Sequence, residues 1–320
     1  MNAGADGGLT HPTRSFIIAW FLPLGLCVAI ATALLWPVPG LWLNELDLLP
    51  ALVALIFLIN GLQTRTASLR LEPRFGRTFL AAALINLLLS PLLGWLLMRF
   101  GGLDTSLALG LLVMALVPPT LSSCIVLTGV AGGKTLWALL MTLGLNFLGI
   151  LTVPLLLGLL AGGTIELSPW PLLFKLLQIV LLPFVLGLLL RPLFGALVAV
   201  RWLGLVPTVC VIVSVWVTLS ASRQSLLQLS VPELLYLALL VLVLHGSLLL
   251  LAMLTSPLLR LATEERSALL LTASQKTLPV AVSVLVGMGS STGVAVISCI
   301  LFHFLQLLLD SFLAPRLRRD

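Results

Sequence analysis

The chain is dominated by apolar segments of about 20 residues, the length that a helix needs to cross the hydrocarbon of a bilayer. Hydrophobic residues fill 60% of its 320 positions, and charged residues fill only 9%. A soluble domain carries about 25% charged residues, so this composition excludes an ordinary soluble protein. We therefore predict an all-α polytopic membrane protein whose main partner is the lipid bilayer.

Reading between Gly, Pro and charged clusters predicts ten transmembrane helices. The predicted spans are 15–36, 49–64, 78–100, 105–131, 135–161, 170–190, 204–221, 232–257, 265–289 and 291–313. With both termini in the cytoplasm, thirteen of the 17 Lys and Arg residues fall on the cytoplasmic side, which is the side that such residues favour. We expect cytoplasmic termini, and the short loops favour a bacterial inner (plasma) membrane.

Two predicted spans are interrupted by proline and polar residues. "ALVPPTLSSCIVLT" (115–128) breaks helix four, and "LTASQKTLPV" (271–280) breaks helix nine. Each is the fourth span of a group of five, and an odd number of spans inverts the second group. The sequence therefore predicts two inverted repeats of five helices, 15–161 and 170–313, between a cytoplasmic tail (1–14) and a basic cytoplasmic tail (314–320).

Interrupted helices at matching positions of inverted repeats indicate a transporter with its binding site near the bilayer midplane. The alternative for each break is a simple proline kink, but both breaks carry clustered polar residues. In helix four they are Thr120, Ser122 and Ser123. In helix nine they are Gln275, Lys276 and Thr277.

Lys276 is the strongest functional candidate, because an ammonium at the bilayer centre costs about 2.5–3.5 kcal/mol. It follows Arg266 by about 15 Å of helix, which places it near mid-depth. It should face a polar cavity, a carbonyl cluster or an anion. The alternative is a helix that starts later and leaves Lys276 near the membrane surface.

Two polar pairs lie in the middle of other spans. His303 precedes Gln306 by one turn, and Asn146 follows Thr142 by one turn, so each pair shares a helix face. Either pair could line the site or make an inter-helix hydrogen bond. We interpret His245 as structural. We expect Asp310 near the cytoplasmic end of its helix, where it would meet the C-terminal arginines.

Several functions lack support in the sequence. There is no Walker A, GxSxG or HExxH motif, so we predict neither an ATP-driven pump nor an enzyme. The four cysteines are far apart, which argues against a structural metal site. The basic residues sit at helix ends rather than in one patch, so we expect no nucleic-acid partner.

The segments "PPTLSSCIVLTGVAGGKTLWALLMTLGLNFLGILTVPLLLG" and "LTASQKTLPVAVSVL" resemble the bile acid:sodium symporter superfamily. The chain looks closest to its SBF-like branch, which holds bacterial sodium-dependent transporters and a eukaryotic member linked to calcium homeostasis. The resemblance covers most of the chain. It implies a panel domain, a core domain containing crossing helices four and nine, and alternating access with sodium-coupled uptake of organic anions.

The resemblance also implies sodium ligands, which can be matched position by position. Thr120-Leu121-Ser122-Ser123 corresponds to the family's Thr-x-Ser-Asn motif, with Ser123 in place of asparagine. Further ligand positions fall on Asn86, Thr142 and Gln275. The implied sodium site comprises Ser122, Ser123, Thr142 and Gln275, and no other cofactor is expected.

The same matching exposes three departures from the family pattern. A serine ligand falls on Ala138, an acidic ligand falls on Leu271, and an asparagine falls on Lys276. A sodium ion close to a fixed ammonium is unfavourable by Coulomb's law. We therefore hypothesise that Lys276 takes over part of sodium's role, either as a counter-charge for an anionic substrate or as a proton-coupled switch.

The leading function is a secondary active transporter that moves a small organic anion by alternating access, coupled to sodium or protons, with its site at the crossing of helices four and nine. The candidate site residues are Asn86, Thr120, Ser122, Ser123, Thr142, Asn146, Gln275, Lys276, Thr277 and His303. The alternative is a membrane regulator of calcium homeostasis that keeps the fold and transports nothing. A channel is a third reading, against which the paired broken helices argue.

Overall fold

The computed structural model describes residues 12–64, 72–161, 169–194, 201–288 and 293–318, and in these ranges the regular structure is helical. Most of the predicted N-terminal tail and two of the basic loop residues, Arg65 and Arg70, lie outside them. The principal helices are α1 Pro12–Leu35, α2 Val38–Glu45, α3 Leu48–Gln63, α4 Phe75–Phe100, α5 Thr105–Leu116, α6 Leu121–Val130, α7 Thr135–Ala161, α8 Trp170–Leu190, α9 Val206–Ala221, α10 Arg223–Gln228, α11 Val231–Leu258, α12 Thr263–Ser274, α13 Leu278–Met288 and α14 Gly293–Leu317.

The helices confirm the prediction of a membrane protein. Seven helical segments of the described chain are long and apolar enough to cross a bilayer, with α12 and α13 counted together as one. Two bent pairs could each add a span, namely α1 with α2, bent by 97°, and α5 with α6, bent by 64°. The bend after α1 was not predicted. The last helix continues to Leu317, four residues beyond the predicted end of span ten.

Both predicted helix breaks are present. The chain leaves helical geometry at 117–120, between α5 and α6, and at 275–277, between α12 and α13. The second break is enclosed by protein, because 94% of an 18-residue apolar stretch within Thr263–Met288 is buried inside the protein. Irregular backbone at membrane depth is tolerated in such surroundings, where lipid cannot reach its polar groups.

The helices pack in two groups. In one group α9 contacts α1, α2 and α3, and α8 contacts α3. In the other group α5 packs against α4 and α14, while α12 packs against α7, α11 and α4. Helices α13 and α14 also touch the first group, so the breaks lie where the second group faces the first.

Two glycines hold α3 and α8 in close contact. A Cβ atom on Gly61 would lie 2.1 Å from the carbonyl oxygen of Phe184, and one on Gly187 would lie 2.1 Å from that of Leu58. Small residues at such reciprocal positions let two membrane helices bring their backbones together. Any larger side chain at either position would separate the helices.

Ion pairs tie the second group together at one end. Lys134, in the turn before α7, bonds Glu72 Oε2 at 2.6 Å and Glu265 Oε1 at 3.1 Å. Its backbone N–H also donates to the Glu264 carbonyl at 3.0 Å. The hydrogen bond that Lys134 donates to Glu72, aided by Glu265, raises the pKa of the Lys134 ammonium above its ordinary value. The start of α12 is thereby anchored to the turn between α6 and α7.

Candidate functional site

The two helix breaks meet directly. The Thr277 N–H donates to the Pro118 carbonyl at 2.9 Å, so the extended segments hydrogen-bond to each other. The Asn146 side chain, from α7, donates to the Pro119 carbonyl at 3.0 Å and to the Thr142 carbonyl at 2.8 Å. Asn146 therefore supplies a donor to a backbone carbonyl of the non-helical segment 117–120.

The break after α5 exposes carbonyl oxygens that bind Lys276. The Lys276 Nζ donates to the carbonyls of Asn86 at 2.7 Å, Ala115 at 2.8 Å and Val117 at 3.0 Å. Its side chain is fully buried. Of the three surroundings that the sequence allowed for this amine, the structure provides the carbonyl cluster.

The break after α12 is capped by Asn86. The Asn86 side chain, in a π-helical turn of α4 at Leu84–Leu89, donates to the carbonyls of Ala273 and Gln275, each at 3.0 Å. Asn86 thus contacts the second break twice, because its own carbonyl also accepts from the Lys276 amine. The prediction placed Asn86 in the site, and the structure places it behind the crossing.

Gln275 points away from Lys276, as expected for neighbours in extended backbone. Its Oε1 accepts from the Ser123 hydroxyl at 2.7 Å, from the Cys124 thiol at 3.1 Å and from the Thr120 hydroxyl at 3.4 Å. The Thr120 and Ser123 hydroxyls also contact each other. We call Thr120, Ser123 and Gln275 the oxygen cluster, which joins the start of α6 to the break in helix nine.

The other end of the Gln275 amide binds a buried carboxylate. Gln275 Nε2 donates to Asp310 Oδ2 at 2.7 Å, and His245 Nε2 lies 2.9 Å from Asp310 Oδ1. The His245 Nδ1 lies 3.3 Å from the Ser274 carbonyl, which can only accept. Nδ1 therefore carries a hydrogen, and one further hydrogen lies between Nε2 and Asp310.

One sequence interpretation, that for Asp310, is wrong at this point, while the structural role expected for His245 is not contradicted. Asp310 is fully buried, and among the described residues its ion-pair partner is His245 rather than Arg316 or Arg318. The reason is that α14 continues to Leu317, which leaves Asp310 two turns inside the helix. His245 is not isolated, because its partners come from α12 and α14 rather than from its own helix.

A small cavity of about 40 Å³ lies at the crossing. Among its lining residues are Thr120, Ser122, Ser123, Asn146, Thr277, Pro279 and His303. These residues include the first turns of both α6 and α13, so two helix N-termini face one cavity. Helix N-termini carry positive partial charge and free N–H groups, which favour an anion.

His303 offers a further donor to this cavity. The Gln306 amide is oriented by Lys276, since Oε1 accepts from the Lys276 N–H at 2.9 Å and Nε2 donates to the Lys276 carbonyl at 2.7 Å. The second hydrogen of that Nε2 points to His303 Nδ1 at 2.9 Å, which is shorter than the 3.4 Å from Nδ1 to the Lys276 carbonyl, so we assign Nδ1 as an acceptor. The ring hydrogen therefore sits on Nε2, which is buried and has no partner among the described residues.

A second cavity, of about 120 Å³, adjoins the first and shares Leu22, Ser122, Ser123 and Thr208 with it. It runs between α1, α6, α9 and α14 toward Leu127, Gly204 and Ser311. Ser122 is exposed and lines both cavities.

The ten predicted site residues occupy three places around the crossing. Six line the crossing cavity, namely Thr120, Ser122, Ser123, Asn146, Thr277 and His303. Asn86, Gln275 and Lys276 lie behind it and organise the breaks. Thr142 is fully buried on α7, below Asn146. The residues that sequence reasoning missed are His245, Cys124 and Asp310, and the only available signal was that each is polar within an apolar span.

Comparison with known proteins relates the chain to membrane transporters. A sequence model of the SBF-like CPA transporter family matches residues 19–319. The chain is 30% identical to the probable sodium/metabolite cotransporter BASS4, chloroplastic, of Arabidopsis thaliana, over 98% of this chain and 78% of the relative. It is 30% identical to sodium/bile acid cotransporter 7 of Mus musculus over 54% of this chain and 52% of the relative. It is 32% identical to the "Putative symporter YfeH" of Escherichia coli over 47% of this chain and 46% of the relative.

Proposed function

Because the chain belongs to the SBF-like CPA transporter family, within the bile acid:sodium symporter superfamily, we propose that it is a sodium-coupled secondary transporter of a small organic anion. Family membership places it among membrane transporters rather than enzymes. The observation that carries the proposal is the crossing cavity, where two helix N-termini and a histidine donor face the same space.

The anionic charge of the substrate is supported by the groups around this cavity. The N-terminal ends of α6 and α13 line it and contribute hydroxyl groups, and His303 Nε2–H adds a donor. The cavity has room for about three waters, at 10–15 Å³ each. A carboxylate or sulfonate group fits its chemistry, while the rest of the substrate would extend into the second cavity.

Sodium as the coupling ion is supported by the names of the relatives, which are sodium/metabolite and sodium/bile acid cotransporters. Within this chain the oxygen cluster, with Ser122 and Thr142 close by, supplies the hydroxyl and amide oxygens that a hard cation prefers. We place the sodium site there. Gln275 Oε1 is the shared acceptor of the cluster and would be a direct ligand.

The proposal includes the architecture that the sequence predicts, with ten spans in two inverted repeats. It is supported by the seven long segments, the two bent pairs and the shorter apolar helix α3. The group α1, α2, α3, α8 and α9 would form the panel domain, and the remaining spans would form the core. Sliding of core against panel would open the crossing cavity to each side in turn. Both termini lie in the cytoplasm of a bacterium in this proposal.

Binding to purified protein tests this function. We expect aliphatic or steroidal carboxylates and sulfonates to raise the melting temperature more in sodium chloride than in N-methyl-D-glucamine chloride. Ser123→Ala should weaken this sodium-dependent increase, because it removes a hydroxyl from the oxygen cluster. Ser256→Ala is the matched control, since its hydroxyl only bonds the Ala252 carbonyl within α11.

Sodium-independent responses to every anion, in wild type and in Ser123→Ala alike, would contradict sodium coupling. The regulator alternative predicts that no anion in the panel binds and that purified protein gives no saturable uptake in liposomes.

A further inference from the structure

The carbonyl oxygens of Asn86, Ala115 and Val117 form a cage around the Lys276 amine. A carbonyl oxygen can only accept, so three bonds from one nitrogen require three N–H hydrogens. An ammonium has three hydrogens and a neutral amine has two. The hydrogen-bond count therefore assigns the charged form to Lys276, with every donor used.

The cage has the features of a binding site for a free cation. The Ala115 and Val117 carbonyls are at the C-terminal end of α5, where Pro118 and Pro119 provide no N–H groups. The C-terminal end of a helix carries negative partial charge, which favours a cation. The Asn86 carbonyl comes from the π-helical turn of α4. Such carbonyl clusters replace the hydration shell of monovalent cations in other membrane proteins.

We propose that this cage is a monovalent-cation site that the chain fills with its own side chain. The ammonium of Lys276 then holds the two breaks together in the way that a bound ion would. Since it is covalently attached, it contributes a fixed positive charge that is not carried across the membrane. The proposal deepens the proposed function, because it leaves the oxygen cluster as the site for a travelling cation. The repulsion between that cation and the ammonium is weakened here, because three carbonyl oxygens surround the amine and the Gln275 side chain points away from it toward Ser123.

A different explanation would be that Lys276 only fills space between α4 and α5. The two explanations differ in what can replace the side chain. If only volume matters, an uncharged group of the same length should serve. If the cage binds a cation, the replacement must carry positive charge.

Lys276→Ala separates these explanations, because it removes the atoms Cγ, Cδ, Cε and Nζ, which together correspond to n-propylammonium. We expect this variant to melt at a lower temperature than the wild type in N-methyl-D-glucamine chloride. Adding n-propylammonium chloride at equal ionic strength should restore the melting temperature in a saturable way. n-Propanol, which has the same shape without the charge, should not.

Three controls complete the experiment. Lys276→Met is one heavy atom shorter than lysine and still fills most of the space of the side chain, so n-propylammonium should have no effect on it. The wild type and Lys175→Ala should likewise be insensitive, since the cage is full in both. Equal stabilisation of Lys276→Ala by n-propanol, or no stabilisation by n-propylammonium, would overturn the proposal.

A second measurement covers the case in which Lys276→Ala does not fold. The chain has only three lysines, Lys134, Lys175 and Lys276, so ¹⁵N-lysine NMR of the wild type resolves each amine. We expect one ammonium signal with slowly exchanging protons, absent in Lys276→Met. A neutral-amine signal assigned to Lys276 would overturn the proposal. Neither experiment needs a substrate or transport, so a failure of the proposed function would be seen separately.

Discussion

Asp310 allows a sharp test of the buried network, because it accepts hydrogen bonds from two helices at once. In the structure its carboxylate contacts His245 Nε2 at 2.9 Å and accepts from Gln275 Nε2 at 2.7 Å. Asp310→Leu is similar in size and removes both contacts. Each buried polar group left without a partner costs roughly 1–3 kcal/mol, so the two together should cost roughly 2–6 kcal/mol.

Asp310→Asn is the matched variant and should be well tolerated. Since His245 Nδ1 carries a hydrogen toward the Ser274 carbonyl, the neutral ring can accept at Nε2. The asparagine can then donate Nδ2–H to His245 and accept the Gln275 amide at Oδ1, which preserves both contacts. The amide of Gln275 keeps its orientation, with Oε1 facing Ser123.

Differential scanning fluorimetry of detergent-purified protein measures the difference. We expect Asp310→Leu to melt roughly 4 °C or more below the wild type, and to lose the sodium-induced increase because the Gln275 amide is free to turn. Asp310→Asn should stay close to the wild type in both respects. Equal destabilisation by Asn and Leu, or a neutral effect of Leu, would refute the reasoning from hydrogen bonds.

Three further perturbations test other parts of the molecule. Gln306→Glu removes the donor to His303 Nδ1, so the ring hydrogen should move from Nε2 to Nδ1. The affinity for an anion, measured by titration calorimetry, should then fall about tenfold or more. Unchanged affinity would exclude His303 as a donor. Gly110→Ala should cost about 1–3 kcal/mol, because its Cβ would lie 1.9 Å from the Ala295 carbonyl oxygen. Gly246→Ala, with open space around its Cβ, should stabilise the protein slightly. Equal melting temperatures for Gly110→Ala and Gly246→Ala would contradict the packing of α5 on α14. Glu72 and Glu265 raise the pKa of Lys134 in the folded protein. The protonated amine therefore stabilises the folded state fully below the ordinary lysine pKa of 10.5, and this stabilisation is lost as the pH rises through the higher pKa of the folded state. Lys134→Met should therefore melt below the wild type at pH 8, and the gap should narrow toward pH 11; a gap that does not change with pH would argue against the ion pairs.

The breaks in the helices were predictable because their cause is local. Proline lacks an N–H, and two prolines in sequence at 118 and 119 cannot continue a helix. Polar residues beside each break, such as Ser123 and Gln275, were predictable as partners for the same reason. The position of Lys276 inside a span, where the structure shows it buried in protein, was predictable from its distance along the helix from Arg266.

The network around the site was not predictable, because its partners lie on different helices. Helical spacing identifies neighbours on one face of one helix, and His245 has none there. Asp310 was misplaced because the end of α14 was set at residue 313, although the helix tolerates Pro315 and runs to Leu317. The cage around Lys276 consists of backbone carbonyls, which leave no mark in a sequence.

Uptake into proteoliposomes is the most direct test that the crossing of the two breaks is the transport site. The measurement uses the radiolabelled anion that gives the largest sodium-dependent increase in melting temperature, with an inward sodium gradient. Wild type and Ser256→Ala should accumulate it above equilibrium, while Ser123→Ala should require a higher sodium concentration for half-maximal uptake. Accumulation that persists without a sodium gradient, or an identical sodium dependence in Ser123→Ala, would contradict the account.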